Sequence, residues 1–169
     1  MYVPEAFRLD DPRRIAELMR AHDFALLVTA PEGVPQATHL PFLYDPEPVS
    51  DAGPAGTLLA HMARPNPQWR DFEEPERVRA LLERLVATQE AGLDPAWSTA
   101  GLTEKYLAGM QRGLVAFEIP VSRLEAKAKL SQNKPASQLA AATAVLEGAE
   151  APLGRQTGAW MRRALEEKG

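Results

Sequence analysis

The stretch GLVAFEIPV, residues Gly113–Val121, has the composition of a β-strand and leads into LEAKAKLSQNK, residues Leu124–Lys134. If the chain stays extended through the second stretch, successive side chains point to opposite faces. One face is then small and apolar. The other face carries two cations, a hydroxyl and an amide, from Lys127, Lys129, Ser131 and Asn133.

This polar face is a candidate anion site, because lysine charges and short hydrogen-bond donors together suit a phosphate. Asn133, with Pro135 two residues on, also predicts a helix start, and the free N–H groups there favour the same anion. The alternative is that both lysines are only solvated and that Asn133 only caps the helix. The residues alone leave both interpretations open.

The chain before this stretch predicts an antiparallel sheet preceded by a helix. The helix runs from Pro12 to about Ala21, because a first-turn proline follows two carboxylates and apolar side chains recur at helical spacing. Pro41 cannot donate a ladder hydrogen bond, so its strand is either at an edge or interrupted there. The predicted strands are Phe24–Thr29, which we expect to be buried, the returning strand Gln36–Tyr44, and Thr57–Met62.

Helices are predicted in the rest of the chain. An apolar stripe predicts one from Pro75 to about Gln89, and another is predicted from Thr103 to Gln111 with Tyr106 facing inward. After Asn133 the chain is alanine-rich and helical to about Leu146, and residues 157–168 form either a final helix or a frayed tail. We therefore divide the chain into a domain of residues 1–147 and a C-terminal helical tail of residues 148–169.

Four separate motifs share a pattern with one known family. They are MYVPEAF (Met1–Phe7), FALLVT with ATHLPF (Phe24–Thr29 and Ala37–Phe42), GTLLAHMARPNPQW (Gly56–Trp69), and KLSQNK (Lys129–Lys134) after the GLVAFEI strand. In this order they resemble the PaiB-type transcriptional regulators. The resemblance covers most of the chain up to about Pro135.

The resemblance implies an α+β fold, an antiparallel split β-barrel of the FMN-binding, pyridoxamine-phosphate-oxidase-like kind with peripheral helices. It also implies a cytoplasmic homodimer that binds FMN between subunits and acts as a negative transcriptional regulator. The cofactor-binding residues that it implies are His61, Arg64, Asn66, Trp69, Lys127, Lys129, Ser131, Gln132 and Asn133.

Simpler structural roles stand beside these assignments. His61 would be a half-buried strand residue, Arg64 would form a surface ion pair, and Trp69 would fill the core instead of stacking on a flavin. The alternative functions are a flavin-dependent oxidoreductase of the split-barrel class and a cofactor-free dimeric interaction domain. The sequence shows no nucleophile–base–acid arrangement, so no catalytic residue is assigned and enzyme activity stays an open question.

One part of the family pattern is missing. Family members carry several further strands between the Asn-Pro-Gln-Trp motif and the long helix, but here Trp69 is followed closely by Glu74 and the helix start Pro75. Those strands would complete the barrel and form much of the flavin wall, so the barrel is expected to be incomplete after Glu74. Open sheet edges then need cover from a partner chain.

Composition narrows the remaining classes of function. The 169 residues include no cysteine, which excludes disulfides, Cys-zinc sites and thiol nucleophiles. Two histidines, His39 and His61, have no acidic neighbour at ligand spacing, so no metal is assigned. A net charge of −4 and the lack of a readable helix-turn-helix weaken DNA binding without removing it. With no membrane-spanning run and no signal peptide, the cytoplasm is the expected compartment.

Overall fold

The computed structural model describes residues 2–47, 54–71, 83–84, 87 and 101–168. Contacts divide the chain into two compact units. We call residues 12–124 the sheet unit, and residues 1–11 together with 125–169 the helical unit. Most of the helix predicted from Pro75 to about Gln89 lies outside the described residues, although residues 83, 84 and 87 are helical.

Four antiparallel strands form one sheet in the described part of the sheet unit. The strands lie in chain order across the sheet, so each strand pairs with its neighbour in sequence. The predicted α+β class and four strands are confirmed, but the described strands do not close into a barrel. The strands are β1 (Phe24–Thr29), β2 (Gln36–Asp45), β3 (Thr57–Ala63) and β4 (Leu114–Pro120).

Strand β2 changes partner at Pro41. Its first part, residues 36–41, pairs with β1, and its second part, residues 42–45, pairs with β3. The Phe42 N–H donates to the Asp23 carbonyl at 2.8 Å, so the backbone N–H and C=O of Phe42 point towards β1. The backbone of the preceding residue, Pro41, therefore points towards β3. Proline has no N–H to offer there, and the ladder to β3 begins one residue later. Of the two predicted alternatives, an edge strand or an interruption at Pro41, the structure shows the interruption. Residues of β2 before Pro41 do not pair with β3.

The inner face of the sheet carries the core of the sheet unit. Helix α1 (Pro12–Ala21) has the predicted bounds and buries Ala16 against this face. The hydroxyl of Tyr44 donates to the Ala55 carbonyl at 2.8 Å, which satisfies the polar end of a buried ring. The buried core cluster consists of Ala16, Leu40, Phe42, Tyr44, Ala60, Met62 and Phe117.

The outer face of the sheet is only partly covered. Leu59 on β3 and Ala116 on β4 are buried there, but along β1 the side chains of Phe24, Leu26 and Val28 are 65%, 51% and 55% exposed. The prediction that β1 is a buried strand is therefore wrong. Side chains alternate between the two faces of a strand, so every second apolar residue of β1 points to the outer face, which is not covered there.

Helix α2 (Glu104–Arg112) leads into β4 as predicted. The hydroxyl of Thr103 accepts a hydrogen bond from the Tyr106 N–H at 3.3 Å, so Thr103 caps the first turn. Tyr106 in that turn is exposed, and the prediction that it faces inward is wrong. In the described part of the chain, no helix is long and apolar enough to span a membrane.

The helical unit is built on an antiparallel contact and a pair of helices. The segment before α1 pairs with residues 126–128, since the Leu9 N–H donates to the Ala126 carbonyl at 3.3 Å and the Ala128 N–H donates to the Phe7 carbonyl at 3.0 Å. Helix α3 (Ala136–Glu147) and helix α4 (Pro152–Glu166) pack together and bury the side chain of Trp160. The C-terminal segment is thus a packed helix and not a frayed tail.

Gly158 allows α4 to approach the end of α3. A Cβ at this position would lie 2.7 Å from the backbone nitrogen of Glu147 and 2.9 Å from the Leu146 carbonyl carbon. These atoms belong to the backbone and cannot rotate away. The close contact of the two helices therefore depends on the missing side chain.

We predict opposite effects for two helical glycines. Gly158→Ala should lower the free energy of unfolding by about 1–3 kcal/mol because the new methyl group overpacks the helix contact. Gly109→Ala should raise it by about 0.5–1 kcal/mol, because the nearest atom to its Cβ is a flexible arginine end at 3.8 Å and alanine favours a helix. Urea titration followed by circular dichroism measures both, and equal stabilities of the two variants would contradict the close packing.

Candidate functional site

Arg64, the first residue after β3, ties the end of β3 to the start of β4. Its guanidinium donates from Nε to the Arg112 carbonyl and from Nη2 to the Leu114 carbonyl, both at 2.9 Å. Its backbone N–H donates to the Gly113 carbonyl at 2.8 Å. These contacts span the junction of α2 and β4, so Arg64 has a structural role in addition to any ligand that it binds.

Trp69 lies in the short 3₁₀ helix Pro67–Asp71 and packs against the core as a partly buried side chain. Its indole N–H donates to the Arg64 carbonyl at 2.9 Å. The guanidinium carbons of Arg64 and Arg70 lie 5.9 Å and 5.7 Å from the ring centroid, within cation–π range. The indole thus serves the core and fixes the loop, as the structural alternative predicts.

Asn66 and Gln68 connect this loop to the separated part of β2. The Asn66 Nδ2 donates to the Thr38 hydroxyl at 3.0 Å, while its Oδ1 accepts from the Gln68 N–H at 3.0 Å. Gln68 is 2% exposed, and its Nε2 donates to the Thr29 hydroxyl at 3.2 Å and the Gln36 carbonyl at 3.3 Å. Gln68 was not among the predicted site residues, although it lies within the Gly56–Trp69 motif. Its buried Oε1 has no partner within the described residues.

His61 lies on the outer face of β3, where β2 no longer pairs with that strand. It is half-buried, opposite the fully buried Ala116 of β4. Its Nδ1 is buried and has no hydrogen-bond partner among the residues described. Burial holds the pKa of the imidazole below its ordinary value of 6.5, since a buried ring disfavours charge. A neutral ring with an unused polar atom can accept or donate one hydrogen bond.

The other predicted site residues belong to the helical unit, where Lys127 is held by the start of the chain. Its Nζ donates to the Tyr2 carbonyl at 3.2 Å and lies 5.7 Å from the Tyr2 ring centroid. Lys127 also forms an isolated antiparallel bridge with Arg8. One of its three donors is therefore used within the unit, and two remain.

The chain leaves the extended conformation at Ser131, which has a φ of 63°. Gln132 stabilises the turn, since its Oε1 accepts from the Leu130 N–H and its Nε2 donates to the Ala128 carbonyl, both at 2.7 Å. The prediction that alternation continues to Asn133 is wrong beyond Leu130. Side chains that bond the nearby backbone compete here with the extended strand.

Helix α3 begins at Ala136, with Pro135 in the cap position and no side-chain cap. The prediction that Asn133 starts the helix is therefore wrong. The carbonyl of Gln132 instead accepts a hydrogen bond from the Lys168 Nζ at 2.9 Å, and the Lys134 carbonyl accepts another from the same group. The segment before the helix is thus fixed by Lys168, which follows α4.

Lys129 is exposed. Within the described residues it has no hydrogen bond or ion pair, so all three of its donors are available. Of the predicted anion-binding residues, Lys129 therefore has the largest unused capacity, and Lys127 follows it.

A cleft lies in the sheet unit, beside the end of β2. This cleft of about 270 Å³ is bounded by Arg20, Asp23, Asp45, Arg84 and the edge of Tyr44, with an Arg84–Asp45 distance of 3.6 Å. Two arginines and two aspartates offset each other in charge. The cleft therefore supplies no net positive field for a phosphate.

Comparison with known proteins identifies related sequences. The chain matches the family described as "Putative FMN-binding domain" over residues 1–81 and 72–123. The two matched segments share residues 72–81. This overlap includes Glu74, after which the family's further strands are expected to be absent.

A curated relative is the Protease synthase and sporulation protein PAI 2 of Bacillus subtilis (strain 168). It is 23% identical over 211 residues, covering 99% of this chain and 100% of the relative. Because this chain has only 169 residues, the relative contains residues with no counterpart here.

We predict that His61 makes stability depend on pH. The unfolded chain binds a proton near pH 6.5, but the folded chain resists it because the pKa of His61 is lowered. Stability is therefore fully present above that pH and falls as the pH drops towards the folded pKa, by at most about 1.4 kcal/mol per pH unit. Urea unfolding at several pH values should show this slope in the wild type and lose it in His61→Gln. His39→Gln, at an exposed position, is the control and should keep the slope.

We also predict that Arg64 and Arg70 differ although both lie near Trp69. Arg64→Lys should cost about 1–3 kcal/mol of unfolding free energy, because an ammonium cannot reproduce the two guanidinium bonds to carbonyls. The exposed Arg70→Lys should change stability by less than about 0.5 kcal/mol. Thermal or urea unfolding measures the difference, and an unaffected Arg64→Lys would remove its structural role.

Proposed function

Because the chain belongs to the FMN-binding domain family, as its four motifs predict, we propose that it binds FMN and acts as a homodimeric negative transcriptional regulator of the PaiB type. The observation that carries the proposal is the family match over residues 1–123, which includes the whole Gly56–Trp69 motif. The full-length alignment with PAI 2 supports the regulator type.

In the helical unit, lysine side chains are available to bind the phosphate of FMN. Lys129 is exposed with all donors available, and Lys127 retains two donors after its contact with Tyr2. Ser131 adds a hydroxyl, although its left-handed backbone removes it from a shared strand face with the lysines. Lys129 is therefore the principal phosphate ligand in this proposal. Gln132 shapes the segment through its backbone contacts, and Asn133 is an exposed residue nearby.

In the sheet unit, His61 is suited to form a hydrogen bond with a polar edge of the flavin ring. Its buried, unpartnered Nδ1 is the kind of atom that a ring carbonyl or N–H would satisfy. Arg64, Asn66 and Trp69 use their polar groups within the unit, so they act by positioning β3 and the loop after it. When bound, FMN supplies redox chemistry of its own, and the protein supplies binding and electrostatics.

One specific observation favours the cofactor-free interaction domain as a second candidate. The relative has residues that this chain lacks, and the family strands expected there would form much of the flavin wall. The oxidoreductase alternative has no such observation in its favour. NAD(P)H-dependent reduction of bound flavin would distinguish it from the regulator.

We predict that Lys129→Ala weakens FMN binding by about tenfold to a hundredfold, because one charge-assisted phosphate contact is worth roughly 1.5–3 kcal/mol. Quenching of flavin fluorescence on titration measures the affinity. Riboflavin lacks the phosphate, so its affinity should be nearly unchanged. Lys105→Ala, an exposed lysine of α2, is the matched control and should bind FMN as the wild type does.

Two outcomes would contradict this assignment in different ways. Equal affinities for FMN and riboflavin in both proteins would remove the phosphate contact while leaving flavin binding intact. Absence of binding by the wild type to either flavin would overturn the proposed function and leave the interaction domain.

We predict that this chain alone binds DNA weakly and with little sequence preference. Its net charge of −4 opposes phosphate neutralisation, and Arg155, on α4, uses its guanidinium on the Ala149 and Glu150 carbonyls. A gel shift at physiological salt with competitor DNA tests this. A retained complex at nanomolar protein would show that the prediction is wrong.

A further inference from the structure

Strand β1 has a free edge as well as an exposed face. Because the Phe42 N–H bonds the Asp23 carbonyl, the backbone groups that point towards β2 are those of Ala25, Leu27 and Thr29. The N–H and C=O groups of Phe24, Leu26 and Val28 therefore point away from β2. Within the described residues, β1 is the end strand of the sheet, and no other strand pairs with this edge.

The same three residues expose their side chains on the outer face, at 65%, 51% and 55%. Neither β1 nor residues 36–44 of β2 contain an aspartate, glutamate, lysine or arginine. Proteins normally protect an edge strand with charge, proline or a bulge. An edge that lacks charge and presents three large apolar side chains is the kind of surface that pairs with another strand.

We infer that β1 is the interface at which a second copy of this chain docks, by antiparallel pairing of β1 with β1 of the partner. This inference deepens the proposed homodimer and rests on it. The pairing makes one sheet continuous across the two copies. It also covers the open edge of the sheet, which would otherwise expose unpaired backbone groups.

The register of this pairing follows from the backbone. Residues whose N–H and C=O groups face outward must lie opposite residues of the same kind, which places Leu26 opposite Leu26 on the two-fold axis. Phe24 then lies opposite Val28 in both directions. Aromatic and β-branched side chains are favourable cross-strand pairs, and no charge opposes a like charge.

A second copy is favoured over another occupant because this edge complements itself. The outward residues sit symmetrically about Leu26, so one register satisfies every outward group and collects all six large apolar side chains on one face. An acidic or basic partner would find no counter-charge on the strand.

Single-residue changes at Leu26 test the interface. The chain contains no cysteine, so Leu26→Cys creates its sole thiol, and the two Cα atoms of this pair would lie roughly 5.5 Å apart, within disulfide range. Mild oxidation of the full chain should therefore give a covalent dimer. Val145→Cys, at a 74% exposed position on α3, controls for random collision and should stay uncoupled.

A charge at the same position should separate the copies. Leu26→Lys places two ammonium groups on the axis, so light scattering should report a monomer where the wild type is a dimer. Val34→Lys, exposed but outside the strand, should remain a dimer. Circular dichroism verifies the fold, and if Leu26→Lys fails to fold, cross-linking of Leu26→Cys decides.

Different results would contradict the homodimer and the β1 interface. A wild-type monomer at micromolar concentration would overturn both the homodimer and this interface. A wild-type dimer that survives Leu26→Lys and gives no Leu26→Cys cross-link would overturn the β1 interface alone.

Discussion

The absence of an N–H group at Pro41 determines how the sheet is built. Because Pro41 faces the side of β2 where β3 would continue, the two strands pair only from Phe42 onward. The first part of β2 stays with β1 and the second part with β3. This change of partner separates the strands beside His61, and the polar groups of the candidate site in the sheet unit lie around that separation.

The loop after β3 compensates for the interrupted ladder with side chains. Asn66 and Gln68 bond residues of β1 and β2, while Arg64 bonds the chain entering β4. Buried polar side chains stabilise a fold only when their partners are in place, since an unpaired group costs about 1–3 kcal/mol. Among the described residues, the unpartnered Nδ1 of His61 and Oε1 of Gln68 are exceptions, and exceptions of this kind are where a ligand or ordered water belongs.

Local patterns were sufficient to predict the strands and helix α1. The bounds of β1 and α1 agree with their predictions, and β4 differs by one residue at each end, because alternation, turn residues and a first-turn proline are local features. The exposure of β1 depends on which other parts of the chain pack over its outer face, and a local sequence pattern does not carry that information. Gln68 was missed because its hydrogen-bond partners Leu27, Thr29 and Gln36 lie far from it in the sequence. The helix start was misplaced at Asn133 because Pro135 occupies the cap position and Gln132 bonds its own segment.

The visible absorption spectrum shows whether this chain, which is shorter than its relative, binds flavin. The protein should be purified with its full sequence, without added cofactor, and then measured again after saturation with FMN and removal of the excess. We expect a flavin band that stays with the protein and is released as FMN on denaturation. A colourless protein that retains no flavin after saturation would contradict it.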